Sequence, residues 1–86
     1  RDIALILDGS VPSAAIQSII QSNSLVKLST PFDLYTGAGV PQGKKSIAYR
    51  IIFRSEQGTL TSEEIDRAQT DIVSQLHQKL GANLRR

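Results

Sequence analysis

The chain has 86 residues, 40% apolar and 21% charged, with a formal net charge of +2, which leaves room for one hydrophobic core and one domain over 1–86. It has no cysteine, which excludes disulfides and thiolate metal sites and agrees with a cytoplasmic setting. No apolar run nears the roughly 20 residues of a membrane helix, so no membrane partner is expected. Aromatic residues make up only 5%, so Ile, Leu, Val and Ala must fill the core, for an expected stability on the order of 5 kcal/mol. The chain starts at Arg1-Asp2 and runs straight into a strand-like segment without a signal peptide, as expected of a piece cut from a longer protein. The charge is mild but unevenly placed. Acidic residues gather at Glu56, Glu63, Glu64, Asp66 and Asp71, and basic ones at Lys44, Lys45, Arg50, Arg54 and Arg85-Arg86. A surface polarised in this way suits an anionic partner.

Residues 2–8, DIALILD, form a short branched apolar run with polar ends, the pattern of a buried strand. Pro12 suits a first helical turn. Ala15, Ile16, Ile19 and Ile20 recur at helical spacing, so a helix is predicted over about 12–23. Residues 25–36, LVKLSTPFDLYT, alternate as a strand. Val26, Leu28, Phe32 and Leu34 are expected on one face, and Lys27, Ser29, Asp33 and Tyr35 on the other. Pro31 cannot donate to a ladder, so this strand belongs at a sheet edge or carries a bulge. A bulge there slips the alternation before position 31, which weakens the placement of Lys27. Residues 46–54, SIAYRIIFR, set Ile47, Tyr49, Ile51 and Phe53 against Ser46, Ala48, Arg50, Ile52 and Arg54. Residues 56–58 turn the chain. Thr61-Ser62-Glu63-Glu64 is a capping box, Ile65, Ala68, Ile72, Leu76 and Leu80 form an apolar stripe, and Gly81 is a C-terminal cap, giving a helix over about 62–80. A last short strand fits 82–85.

The order is β-α-β-β-α-β. Right-handed crossovers in both strand–helix–strand units give an α+β, ferredoxin-like fold, a four-stranded antiparallel sheet with both helices on one face. The second strand is then an edge, which suits Pro31.

The segment GAGVPQGKKS at 37–46 invites comparison with a phosphate-binding loop. It fails the comparison. The spacing between Gly37 and Gly43 is one residue too long, Lys45 follows Lys44 where Ser or Thr is required, and a strand follows instead of a helix. Without a helix N-terminus no set of N–H groups converges on a phosphate. The loop joins two strands and puts Lys44 and Lys45 at the sheet rim.

On the face without helices, the alternation places Ala4 and Ile6, then Asp33 and Tyr35, then Ser46, Ala48, Arg50 and Ile52, and finally Asn83 and Arg85. An aromatic ring, hydroxyl and amide groups, an acid and arginines on one open sheet suit single-stranded nucleic acid. The same pattern also fits a plain solvated face, and one tyrosine does not separate the two. No catalytic constellation is present. His77, the only histidine, lies in a polar stretch of the second helix, Glu63-Glu64 are explained by capping, and Asp33 has no base or metal partner in the sequence. The aromatic-rich RNP1 pattern is missing as well.

RDIAL at 1–5, VP at 11–12, FDLYTGAGVPQGKKSIAYR at 32–50, TLTSEEI at 59–65 and the final LGANLR together resemble the ferredoxin-fold anticodon-binding domain found at the C-terminus of the bacterial phenylalanyl-tRNA synthetase β subunit. The resemblance covers essentially the whole chain. Its most specific part is the tyrosine, the GxGxPxGKKS loop and the strand ending in arginine, a pattern the shorter mitochondrial type usually lacks. The resemblance implies a non-catalytic module that clamps the anticodon stem-loop of phenylalanine tRNA. The residue matching Tyr35 stacks on the first anticodon base, a guanine. Those matching Asp33 and Ser46 lie close enough to read that base, and the one matching Arg85 contributes from the last strand. Lys44, Lys45 and Arg50 are added here as phosphate contacts, on charge alone. The implied partners are tRNA, the rest of the β subunit and the α subunit. The ATP and Mg²⁺ of the parent ligase are used outside this segment, which is expected to hold no cofactor. One departure is Gly58, where many relatives carry a basic residue. The alternative is a regulatory ferredoxin-like module that binds a small ligand or self-associates through its open face, since one fold serves many functions.

Overall fold

The structure, a computed structural model, describes residues 1–85; Arg86, counted above among the basic residues, lies outside them. The elements run β1 (Asp2–Asp8), α1 (Ser13–Gln21), β2 (Val26–Tyr35), β3 (Lys44–Phe53), α2 (Ser62–Leu80) and β4 (Asn83–Leu84). The strands form one sheet in the order β2-β3-β1-β4, with every neighbouring pair antiparallel. This is the ferredoxin-like arrangement expected, with β2 at an edge. Among the described residues no helix is long and apolar enough to cross a membrane.

Both helices pack on the same side. Ile3, Leu5 and Leu7 of β1, Ile47, Tyr49 and Ile51 of β3, Ile16 and Ile20 of α1, and Ile72 and Leu76 of α2 make one core. Pro12 sits just before α1 as its N-cap, one place ahead of the expected helical position. The capping box of α2 is complete: Thr61 Oγ1 accepts from the Glu64 N–H at 3.1 Å, and Glu64 Oε1 accepts from the Thr61 N–H at 3.2 Å. Gly81 closes the helix at φ +68°, the left-handed conformation that favours glycine. His77 Nδ1 lies 3.2 Å from the Ala82 carbonyl oxygen, so the imidazole serves the end of α2.

Two expectations need correction. First, β3 begins at Lys44, two residues before Ser46, because Lys44 and Lys45 pair with Asp8 and Leu7 of β1. Lys45 thereby alternates with Ile47 and Tyr49 on the helix side, and its ammonium donates to the Val11 carbonyl. Second, β2 carries two register shifts, between Val26 and Leu28 and between Pro31 and Asp33. Each inserts an extra residue and reverses the faces beyond it. Ser29 therefore points to the helices and is buried. Its Oγ accepts from Gln21 Nε2 at 3.2 Å, and its carbonyl accepts from Gln17 Nε2 at 3.3 Å. Leu28 pairs with exposed Ile52 on the open face, and Phe32 lies under Arg50 there. After the second shift Asp33 and Tyr35 return to the open face opposite Ala48 and Ser46, as the alternation predicted.

Tyr49 anchors α1 to the sheet. Its ring is fully buried, and its hydroxyl lies 2.5 Å from Ser13 Oγ in the first turn of α1. Burial pushes the phenol above the usual tyrosine range, partly offset by the Ser13 hydrogen bond. Tyr49→Phe keeps the packing and loses one hydrogen bond, so it should cost about 1 kcal/mol in denaturant unfolding; Tyr49→Ala should cost about 3–5 kcal/mol. The raised phenol pKa also sets a sign with pH. Its contribution is complete below the ordinary tyrosine value of about 10 and is lost as pH rises through the folded value. Stability should therefore fall more steeply with pH in that alkaline range for the wild type than for Tyr49→Phe.

Candidate functional site

With both helices on one side, the other face of the sheet is uncovered. Its residues follow from the register. Ala4 and Ile6 of β1 lie opposite Ala48 and Ser46 of β3, Ile6 also opposes Asn83, and Tyr35 and Asp33 of β2 flank Ser46 and Ala48 from the other side.

Three sequence-predicted residues meet here. The Arg85 backbone N–H donates to the Ala4 carbonyl at 2.7 Å, which extends the β4 pairing by one residue. From that edge its side chain crosses β1. Nη1 donates to Ser46 Oγ at 3.0 Å, and the guanidinium carbon lies 5.8 Å from the Tyr35 ring centroid, within cation–π range. The small side chains of Ala4 and Ala48 leave a low floor for this crossing. Arg85, a residue of one sheet edge, thus contacts the opposite edge strand. Ser46 is buried, whereas Tyr35 remains 39% exposed, so a flat aromatic surface stays open beside a fixed cation.

The glycine loop completes the surround of Tyr35. The phenol Oη donates to the Ala38 carbonyl at 2.8 Å. Gly37 has φ +123°, and a Cβ built there would lie 3.5 Å from Tyr35 Oη. Glycine is favoured at 37 by the backbone angle; the Cβ distance is an ordinary contact. The loop leads into β3 and presents no helix N-terminus, as its sequence required.

The other predicted residues stand apart. Asp33 shares the face and is exposed, and its carboxylate accepts no hydrogen bond among the described residues. Lys44 is exposed at the rim, opposite Asp8. The Asp8 carboxyl is held below its usual range first by hydrogen bonds from Ser10 and then by the charges of Lys44 and Lys45. Lys45 faces the helices. Arg50 is on the open face, but one edge of its guanidinium is held by both Asp2 carboxylate oxygens, with Nε donating to Oδ1 at 3.1 Å and Nη2 to Oδ2 at 3.3 Å. That pair lowers the Asp2 carboxyl and raises Arg50. Sequence reasoning missed Phe32, which lies 51% exposed with the Arg50 guanidinium carbon 5.1 Å from its ring centroid. The signal for it was Pro31, which marked the bulge but not its exact position.

Comparison with known proteins adds a family. The sequence profile of the ferredoxin-fold anticodon binding domain matches residues 1–85. The chain is also similar to phenylalanine–tRNA ligase β subunits from Anaeromyxobacter dehalogenans (38% identical over 85 residues), Syntrophotalea carbinolica (41% over 87) and Lactococcus lactis subsp. lactis (42% over 87). Each match covers 99% of this chain and 11% of the relative, so the chain spans about a tenth of the length of the curated relatives it matches.

The geometry makes Ser46 the fixed point of Arg85. Ser46→Ala should free the guanidinium, read by NMR as faster exchange of the Arg85 side-chain N–H protons. The unfolding free energy should change by no more than about 1 kcal/mol, because Arg85 stays solvated. Unchanged Arg85 exchange would show that the bond to Ser46 does not hold the side chain.

Proposed function

The chain belongs to the ferredoxin-fold anticodon binding domain family, and from that premise we propose that its open sheet face binds the anticodon stem-loop of phenylalanine tRNA as part of a phenylalanine–tRNA ligase β subunit. The observation that most supports this reading is the gathering of Tyr35, Ser46 and Arg85 on the uncovered face, beside the exposed Asp33 carboxylate. The Tyr35 ring takes the stack of the first anticodon base, a guanine; stacking is worth about 1–3 kcal/mol and tolerates any base. Selectivity then falls to the polar groups. A carboxylate only accepts hydrogen bonds, and the guanine edge offers adjacent N–H donors that adenine does not present in the same order. Asp33 accepts from that edge, while the Ser46 hydroxyl and the Arg85 guanidinium face the base oxygen and the neighbouring backbone. Arg85 arrives already oriented by Ser46, which reduces the ordering cost on binding.

Of the basic residues proposed for phosphates, Lys44 is the best placed, since it is exposed at the rim. Arg50 is neutralised by Asp2, and Lys45 is turned to the helix side. The remainder of the β subunit and the α subunit are the proposed protein partners. Aminoacylation with ATP and Mg²⁺ is assigned to those other parts of the ligase, and this segment supplies tRNA contacts only.

Fluorescence anisotropy with a labelled anticodon stem-loop tests the proposal. Tyr35→Ala should weaken binding by about 1–3 kcal/mol with an unchanged unfolding midpoint. Asp33→Ala should reduce the preference for guanine over adenine at the first anticodon position more than it reduces overall affinity. Affinity should also fall with added salt, since each phosphate contact releases counterions. Normal binding by Tyr35→Ala would remove the stacking role, and a salt-independent affinity would contradict the phosphate contacts.

A further inference from the structure

The open face holds a second aromatic–guanidinium pair that the reading above does not use. Phe32 lies 51% exposed under Arg50, and Leu28 and Ile52, paired across β2 and β3, are 48% and 44% exposed beside it. A contiguous apolar strip left open on a small domain is a mark of a binding surface. Arg50 is not a free charge there. Asp2 holds it from the neighbouring strand through two hydrogen bonds of 3.1 and 3.3 Å, which offsets its charge and restrains the guanidinium over the Phe32 ring. A guanidinium that is pinned, charge-compensated and seated on an aromatic ring is a flat stacking surface more than an anion hook.

Phe32 and Tyr35 are three residues apart on one strand, so their Cα atoms lie within about 10 Å of each other at the usual strand rise, and the bulge between Pro31 and Asp33 brings both side chains to the open face. Sheet-borne aromatics on this scale hold successive bases of a single strand. We infer that Arg50 and Phe32 form a second base-stacking position, which takes the nucleotide adjacent to the one on Tyr35 without selecting its identity. The inference rests on the nucleic-acid reading of the open face and adds a second nucleotide to it. Among the described residues, the polar side chain that β3 brings to that position is the Asp2-bound Arg50, and Thr30 pairs with Arg50 from β2. This is why the position is assigned stacking and not base readout.

The test uses this 86-residue chain and labelled anticodon stem-loops that are intact or carry one abasic nucleotide on either side of the guanine. One of the two abasic loops should bind the wild type roughly 5- to 150-fold more weakly than the intact loop. Phe32→Leu, which keeps apolar bulk, should bind the intact loop more weakly by a similar factor and show no further loss with that abasic loop. Phe32→Tyr should restore binding. Arg50→Lys, which keeps the charge and loses the plane, should also weaken binding while leaving the salt dependence unchanged. The proposal is overturned if Phe32→Leu binds like the wild type, or if the abasic penalty is the same in both proteins. It also fails if Arg50→Lys binds normally while Arg50→Gln loses both affinity and one phosphate's worth of salt dependence, for then Arg50 is a phosphate contact. If the guanine preference and the Tyr35→Ala loss persist in those cases, only the second position is lost. If the wild type binds none of the loops, the reading beneath it fails and this inference falls with it.

Discussion

Both strand–helix–strand units cross over to the same side of the sheet, and the rest of the molecule follows from that constraint. Right-handed crossovers stack α1 and α2 on one face, where Ile16, Ile20, Ile72 and Leu76 meet the inward residues of β1 and β3. Among the described residues no layer covers the other face. Four strands then present their alternate side chains to whatever lies outside, and the proposed RNA contacts are drawn from those side chains.

On that face the contacts are few and long in reach. Arg85 stands just past the two-residue strand β4, yet it bonds Ser46 two strands away and overlies Tyr35 on the far edge strand. The glycine loop closes on Tyr35 from one end through the Ala38 carbonyl. The Asp2–Arg50–Phe32 set occupies the other end of β3. Both groups place a hydrogen-bonded guanidinium over an aromatic ring that stays partly exposed. Such pre-ordering matters for a small domain, because each long side chain immobilised only on binding subtracts about 0.5–1.5 kcal/mol from the affinity.

Most of the fold was legible because its signals are local. The inner run of β1, the capping box at Thr61–Glu64, the stripe of α2 and Gly81 each encode their element within a few residues. The open-face placement of Tyr35, Ser46 and Arg85 was legible from the alternation of their own strand stretches, whereas their roles toward RNA came only from the resemblance. What escaped depended on register. Pro31 announced a bulge, but two shifts in β2 moved Ser29 inward and Leu28 and Phe32 outward, and no local feature counts such shifts. Lys45 was read as a rim residue at the end of the glycine loop and given a phosphate role on charge alone; its pairing with Leu7 turned it toward the Val11 carbonyl. Arg50 looked like a free cation because Asp2, 48 residues away in sequence, becomes its neighbour only once β1 and β3 pair.

The central claim is that the uncovered sheet face, and not the helices, is the nucleic-acid surface. An NMR titration of the isotopically labelled chain with the phenylalanine tRNA anticodon stem-loop tests it most directly. The account predicts that the largest chemical-shift changes fall on Tyr35, Ser46, Ala48 and Arg85, and that the outward residues of α1 and α2 stay unmoved. Changes confined to the helices, or no changes at saturating RNA, would contradict it.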